Sequence, residues 1–234
     1  MTMPFLTAEW RRLALITFAV PDAALAPHLP PGIVPDRWEG SAVASLVAFE
    51  FLNTSIFGVP VYGFRNFPEW NLRFYVKDEN GRRGVGFVKE LVPGRVCATI
   101  ARVVYNEPYE TVRYDFDRQD IGGGASLEHV VTVRGRRHRI AFQAAGEPAF
   151  PGEETLAHFL KEQDWGYGTT RGGRRAAYHV THPRWRVYPE TSFEIDVDAR
   201  SLYGEGWAFL NDLTPISKIV AEGSSVKVFP RIVE

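Results

Sequence analysis

Apolar residues along this chain alternate with a period of two more often than they recur at helical spacing. Residues 12–20 (RLALITFAV) and 42–52 (AVASLVAFEFL) are apolar at successive positions, which predicts strands covered on both faces. Shorter strands are predicted at 70–77, 85–92, 98–105, 130–133, 139–144, 176–181, 192–197 and 225–229. Asn80-Gly81, with Asp78 before it and Arg82 after, marks a hairpin turn. Three glycines at 122–124 mark a loop, because they hold a regular element only at high entropic cost. Helical spacing is sparse. One helix is predicted over 153–163, with Leu156, Phe159 and Leu160 on one face, Glu153 and Glu154 near its start and Lys161 near its end. A shorter one is predicted over 21–29, with Asp22 in its first turn and Pro30-Pro31 stopping it. Many strands with one or two covering helices predict a mainly β (α+β) fold, a closed or nearly closed barrel, forming one domain over 1–234.

Composition narrows the classes. Apolar residues make up 45% and charged ones 24% of 234 residues, enough to bury a core without staples. The net charge of −1 gives no general attraction to nucleic acid or an anionic membrane. The locally basic run 134–139 (RGRRHR) lies between strand-like stretches and reads as a solvated hairpin turn. No apolar stretch approaches the ~20 residues that span a bilayer, and no basic start precedes a long apolar run, so the cytoplasm is the expected location. Cys97 stands alone, which rules out an internal disulfide and reads as a buried, inert thiol. The six histidines show no metal-ligand spacing: His179 and His182 flank a strand end, and His28, His129, His138 and His158 are scattered. Glu194, Asp196 and Asp198 share one strand face about 7 Å apart, too far to share a cation closely. No nucleophile elbow, P-loop or dinucleotide fingerprint occurs, and neither a metal nor another cofactor is expected.

Two clusters can carry chemistry. In residues 69–76 the even positions Trp70, Leu72, Phe74 and Val76 form an apolar face, while Glu69, Asn71, Arg73 and Tyr75 form a polar one. That polar set either faces water or lines a polar cavity inside a barrel. Arg65 and Asn66 precede it, and a guanidinium fork suits a carboxylate. The second cluster, Tyr105-Asn106-Glu107-Pro108-Tyr109-Glu110, sits at a predicted strand end. Glu107 and Glu110 supply either an acid and a base or ordinary loop solvation. The aromatics Trp165, Tyr167, Trp185 and Tyr188 wall a pocket or pack a barrel end.

The run from Phe67, Glu69 and Leu72 through Gly81-Arg82-Arg83-Gly84 to Ala101–Glu110 resembles the middle of acetoacetate decarboxylase-like proteins. The chain is more closely similar to the bacterial YqjF-type branch of that superfamily. Motifs carrying that likeness span nearly the whole chain. They include Phe5-Leu6-Thr7-Ala8-Glu9-Trp10, Asn71-Leu72-Arg73, Trp165-Gly166-Tyr167, Trp185-Arg186-Val187 after His182-Pro183, and Ala221-Glu222-Gly223. The resemblance implies a cone-like antiparallel β barrel, often oligomeric, around a ligand pocket. It places the decarboxylase's acid/base glutamate on Glu69 and the proline before its lysine pair on Pro108. The Schiff-base lysine falls on Tyr109 and the lysine that lowers its pKa falls on Glu110. Tyrosine forms no imine, so decarboxylation through a Schiff base is not expected. Of the five lysines, Lys89 lies on a strand beside Glu90 and reads as an exposed strand lysine.

Three functions remain open. One is an enzyme acting on a small organic acid without an imine, as a lyase, hydrolase or isomerase. In it Glu69, Tyr109 and Glu107 are catalytic, and Arg65, Asn71, Arg73 and Glu110 bind the substrate, taken to be a carboxylate. Another is a non-catalytic protein that binds or senses a small metabolite. The third is an interaction role without a ligand, with the 69–75 polar face outside. A homo-oligomer is compatible with each.

Overall fold

The computed structural model describes residues 3–60, 63–94 and 108–234. Two long strands, β1 (Leu6–Val20) and β4 (Ser41–Ile56), are separated by the two-residue strands β2 (Val34–Pro35) and β3 (Arg37–Trp38). After β5 (Val59–Pro60) come β6 (Phe67–Lys77), β7 (Arg83–Val92) and the short β8 (Tyr109–Thr111). A meander of β9 (Arg113–Ile121), β10 (Gly124–Val133) and β11 (Arg136–Ala145) then leaves the first sheet. The chain returns to it with β12 (Trp165–Thr169) and β13 (Arg175–Thr181), adds β14 (Glu190–Asp196) to the meander, and ends in β15 (Ser217–Val228) and β16 (Ile232–Val233).

The strand order β6-β4-β1-β15-β13-β12-β7 closes on itself because β7 also pairs with β6. The ring is antiparallel except at one seam, where β7 and β12 run parallel. The expected barrel is therefore present, with that single parallel joint. β4 and β6 are buried on both sides, as their unbroken apolar pattern implies. Their outward residues Ala44, Leu46, Ala48, Trp70, Leu72 and Phe74 pack beneath the four-stranded sheet β14-β11-β10-β9, against Leu127, Val131, Ile140 and Phe142. Each of the leucines and phenylalanines among them contributes roughly 1.5–3 kcal/mol on burial, and each alanine under about 1 kcal/mol. The inward residues, including Val43, Val47, Phe49 and Phe51, form a second cluster with Phe159, Leu160 and Trp185.

Local chemistry sets the turns. Asp78 Oδ1 accepts the backbone N–H groups of Asn80 (2.9 Å) and Arg82 (2.8 Å), and Gly81 takes φ +76°, which closes the β6–β7 hairpin. Arg134 and Gly135 both adopt positive φ, the turn that matches strand twist, so the basic run is a hairpin. Gly122 and Gly123 turn β9 into β10, and the third glycine, Gly124, is the first residue of β10 rather than part of the loop. The helix predicted over 153–163 is shorter: α2 (Leu156–Lys161), capped by Thr155, whose hydroxyl accepts the His158 N–H at 3.3 Å. The one predicted over 21–29 is a single turn, α1 (Asp22–Leu25), continued as a 3₁₀ turn to His28. A third helix, α3 (Ala199–Tyr203), starts on the cap of Asp198 and lies against the 3₁₀ segment Glu205–Asp212. The strand expected over 98–105, together with Cys97 and Glu107, lies outside the described residues. Among the described residues no helix is long and apolar enough to cross a membrane.

Candidate functional site

Closure of the ring decides which way the polar face of β6 points. Glu69, Asn71, Arg73 and Tyr75 retain 2%, 3%, 8% and 0% of their exposure and face the barrel interior rather than water. Asn71 Nδ2 donates to Glu69 Oε1 at 3.0 Å, and the Tyr109 hydroxyl donates to Glu69 Oε2 at 3.1 Å. Two donors on one carboxylate fix its plane and its position in the cavity wall. Tyr109 reaches it because β8 pairs in parallel with β7, with Tyr109 beside Glu90. Further along β6, Arg73 Nε donates to the Tyr75 hydroxyl at 3.3 Å. The Tyr75 hydroxyl bonds in turn to Ser45 Oγ, and that to Thr17 Oγ1, each at 2.8 Å. Arg73 Nη2 donates to the Leu160 carbonyl at 2.9 Å, tying α2 over this part of the barrel.

A bulge on β7 selects its inward residues. Leu72 pairs with Lys89, but Arg73 pairs with Phe87, so Val88 is an extra residue in the ladder. Val85 and Phe87 line the cavity, and after the bulge Glu90 does so in place of Lys89. Lys89 turns to the other face, where Nζ donates to the Leu202 carbonyl at 2.7 Å and lies 3.1 Å from Glu110 Oε2. It is partly buried rather than an exposed strand lysine.

The structure thus brings together Glu69, Asn71, Arg73 and Tyr109. It does not bring in Arg65 or Glu110. Arg65 is exposed and donates to Asn53 Oδ1 at 3.2 Å, since Phe67 is the first β6 residue to turn inward. Glu110 alternates away from Tyr109 and meets Lys89 outside. Glu107 lies outside the described residues. Sequence reasoning missed Glu90, Lys161, Gln163 and His182, which also line the cavity. Lys161, predicted near the end of the helix, has a fully buried side chain that is ion-paired with Glu162.

The cavity measures about 130 Å³. Arg73 makes no ion pair within it: no carboxylate of the described residues lies within salt-bridge distance of its guanidinium. Polar atoms without a hydrogen-bond partner among the described residues gather in the same wall, namely Trp10 Nε1, Thr54 Oγ1, Asn71 Oδ1 and Gln163 Oε1. His182 stacks on Trp185 with ring centroids 4.2 Å apart, and burial holds its pKa below the usual histidine value. Its Nδ1 lies 2.8 Å from the Pro183 carbonyl, which can only accept, so the neutral ring carries its proton there and keeps Nε2 as an acceptor. No group of three or more metal-ligating side chains occurs among the described residues.

A family model, DUF2071, described as an uncharacterized conserved protein, matches residues 7–224. The chain belongs to the DUF2071 family. No curated protein matches it by sequence. Solved structures of similar fold include an acetoacetate decarboxylase-like enzyme from Sphingomonas wittichii RW1, at TM-score 0.67 and 12% identity, covering 98% of this chain and 92% of that one. The enduracididine biosynthesis enzyme MppR complexed with pyruvate matches at TM-score 0.65 and 14% identity, covering 100% and 91%. Acetoacetate decarboxylase from Legionella pneumophila matches at 0.64 and 12%, covering 99% and 87%. This DUF2071 chain therefore has the acetoacetate decarboxylase-like fold that its motifs suggested.

Proposed function

We propose that the barrel of this DUF2071 protein binds a small organic acid through Arg73 and that Glu69 transfers a proton beside it. The observation that carries this reading is the burial of Arg73 with no carboxylate partner among the described residues. A buried, uncompensated charge costs several kcal/mol, and an anionic ligand supplies the missing counter-charge. The contacts to Tyr75 and Leu160 use two of the five guanidinium N–H groups, leaving donors for a carboxylate. MppR, of similar fold, has been solved with the carboxylate pyruvate.

Glu69 has the position and the orienting hydrogen bonds of a general acid or base, with Asn71 and Tyr109 holding it. A Schiff base is absent from this scheme. The family resemblance puts Tyr109 and Glu110 where the decarboxylase has its lysine pair, and the lysine that lines the described wall, Lys161, is ion-paired with Glu162. The reaction is accordingly a proton-transfer reaction without an imine, of the lyase, hydrolase or isomerase type. The lack of an unpaired amine in the described wall also favours a second reading, in which the barrel holds its acid without converting it.

A thermal-shift screen of small oxo and hydroxy acids against wild type, Arg73→Met and Glu69→Gln tests both readings. A ligand at a hundredfold excess over its dissociation constant stabilises wild type by about 2.7 kcal/mol. Arg73→Met should lose that shift, while Glu69→Gln should keep it and lose turnover. Equal shifts in wild type and Arg73→Met would remove Arg73 from the site. Saturable binding with no product over long incubation would favour the non-catalytic reading.

A further inference from the structure

Resting on the carboxylate reading of Arg73, we infer that the acid taken by this cavity is a monocarboxylate bearing an apolar body the size of one aromatic ring. Aromatic side chains dominate the wall away from the polar residues of β6. Trp10 meets Phe49 and Phe51 edge to face at 5.8 Å each, and Trp185 at 6.2 Å. Phe51 stacks on Phe67 at 4.6 Å with the planes 10° apart and closes the end of the cavity six β6 residues from Arg73, so the rings nearest a ligand on Arg73 are Phe87, opposite it in the ladder, and Trp185, stacked on His182. Phe87 and Trp165 add rings from the β7 and β12 strands. Offset and edge-to-face arrangements of this kind accept a further ring at the same spacings. A two- or three-carbon acid would cover the guanidinium and leave those rings facing water, so the apolar surface still exposed would contribute nothing to its binding.

Size and charge point the same way. A volume of about 130 Å³ is close to that of an apolar protein cavity of ~150 Å³ that holds benzene. That volume suits one ring with a short acidic arm better than a fused polycycle or a long acyl chain. Arg73 is the cation of the described wall that lacks an anionic partner, since Lys161 is paired with Glu162.

Calorimetric titration of the full chain with matched pairs tests this: phenylacetate against acetate, phenylpyruvate against pyruvate, and the uncharged phenylacetamide. Each ring-bearing acid is expected to bind at least tenfold tighter than its short partner, and phenylacetamide at least tenfold weaker than phenylacetate. Arg73→Met should bring phenylacetate down to the level of the amide. The wild-type comparison with the amide stands even if that variant folds poorly. If the short acids bind as tightly as the ring-bearing ones or tighter, this inference falls while the carboxylate reading stands. If no acid of either kind binds, the carboxylate reading falls and takes this inference with it.

Discussion

Val85 and Phe87 of β7 point into the cavity, and unbroken alternation would send Lys89 after them. The extra residue at Val88 reverses that order, so an acid, Glu90, enters the wall and the amine is bound outside by Glu110 and the Leu202 carbonyl. The bulge thereby keeps the nearest strand lysine out of the cavity. A second residue, His129, reports on folding rather than on the site. Its Nδ1 bonds to the Tyr114 hydroxyl at 2.8 Å, and its ring lies 4.8 Å from Phe116 and stacks on Phe142. Burial pushes its pKa down to about 3 from 6.5. The unfolded chain takes up this proton below pH 6.5 and the folded chain resists it until about pH 3, so stability falls as pH drops through that window. His129→Phe is expected to remove a loss of a few kcal/mol between pH 7 and pH 4, at a cost of roughly 1 kcal/mol at pH 7 for the unpartnered Tyr114 hydroxyl. Urea titrations at the two pH values measure it, and equal acid losses in both proteins would contradict the assignment.

Among the elements, the docking of the outer sheet on the barrel is held by one buried acid as well as by apolar packing. Glu50 of β4 accepts from Arg12 at 2.9 Å and from Arg118 of β9 at 3.4 Å, and Asp120 lies 3.7 Å and 3.6 Å from the same two arginines. Glu50→Ala is expected to cost about 1–3 kcal/mol, below the usual loss for a fully buried pair because both arginines still reach water. Hydrogen exchange should quicken in β9 and β10 more than in β13 or β15, and uniform acceleration would instead indicate a general loss of stability. Legibility of the elements follows their environment. Strands at 12–20 and 42–52 were readable because burial on two sides forces continuous apolar runs. β9 was not, because it is an edge strand carrying Arg113, Asp115, Asp117 and Asp120, whose charges suit an exposed edge. β12 was hidden by Gly166 and Gly168. A Cβ on Gly166 would stand 2.0 Å from the Tyr178 ring, so this glycine lets that ring lie against the strand.

At the scale of the whole molecule, alternation in 69–76 showed two faces but not which of them was inside. That depends on closure of the ring between β6 and β7 and on the outer sheet covering the apolar face, and both are long-range pairings. Once closed, the barrel turns a strand carrying Glu69, Asn71 and Arg73 into the polar wall of an otherwise aromatic cavity, with α2 tied to Arg73. Lys161, Gln163 and His182 join that wall from segments whose position is set by this closure and not by any local pattern. In the proposed function Arg73 is the anion-binding group of this cavity. That role is tested most directly by heteronuclear NMR of the arginine Nε–H signals, assigned for Arg73 with Arg73→Met, while a carboxylate is titrated in. With Arg73 in that role, its signal is expected to move saturably with the binding isotherm while that of exposed Arg65 stays put. A saturable binding isotherm with the Arg73 signal unmoved would contradict it.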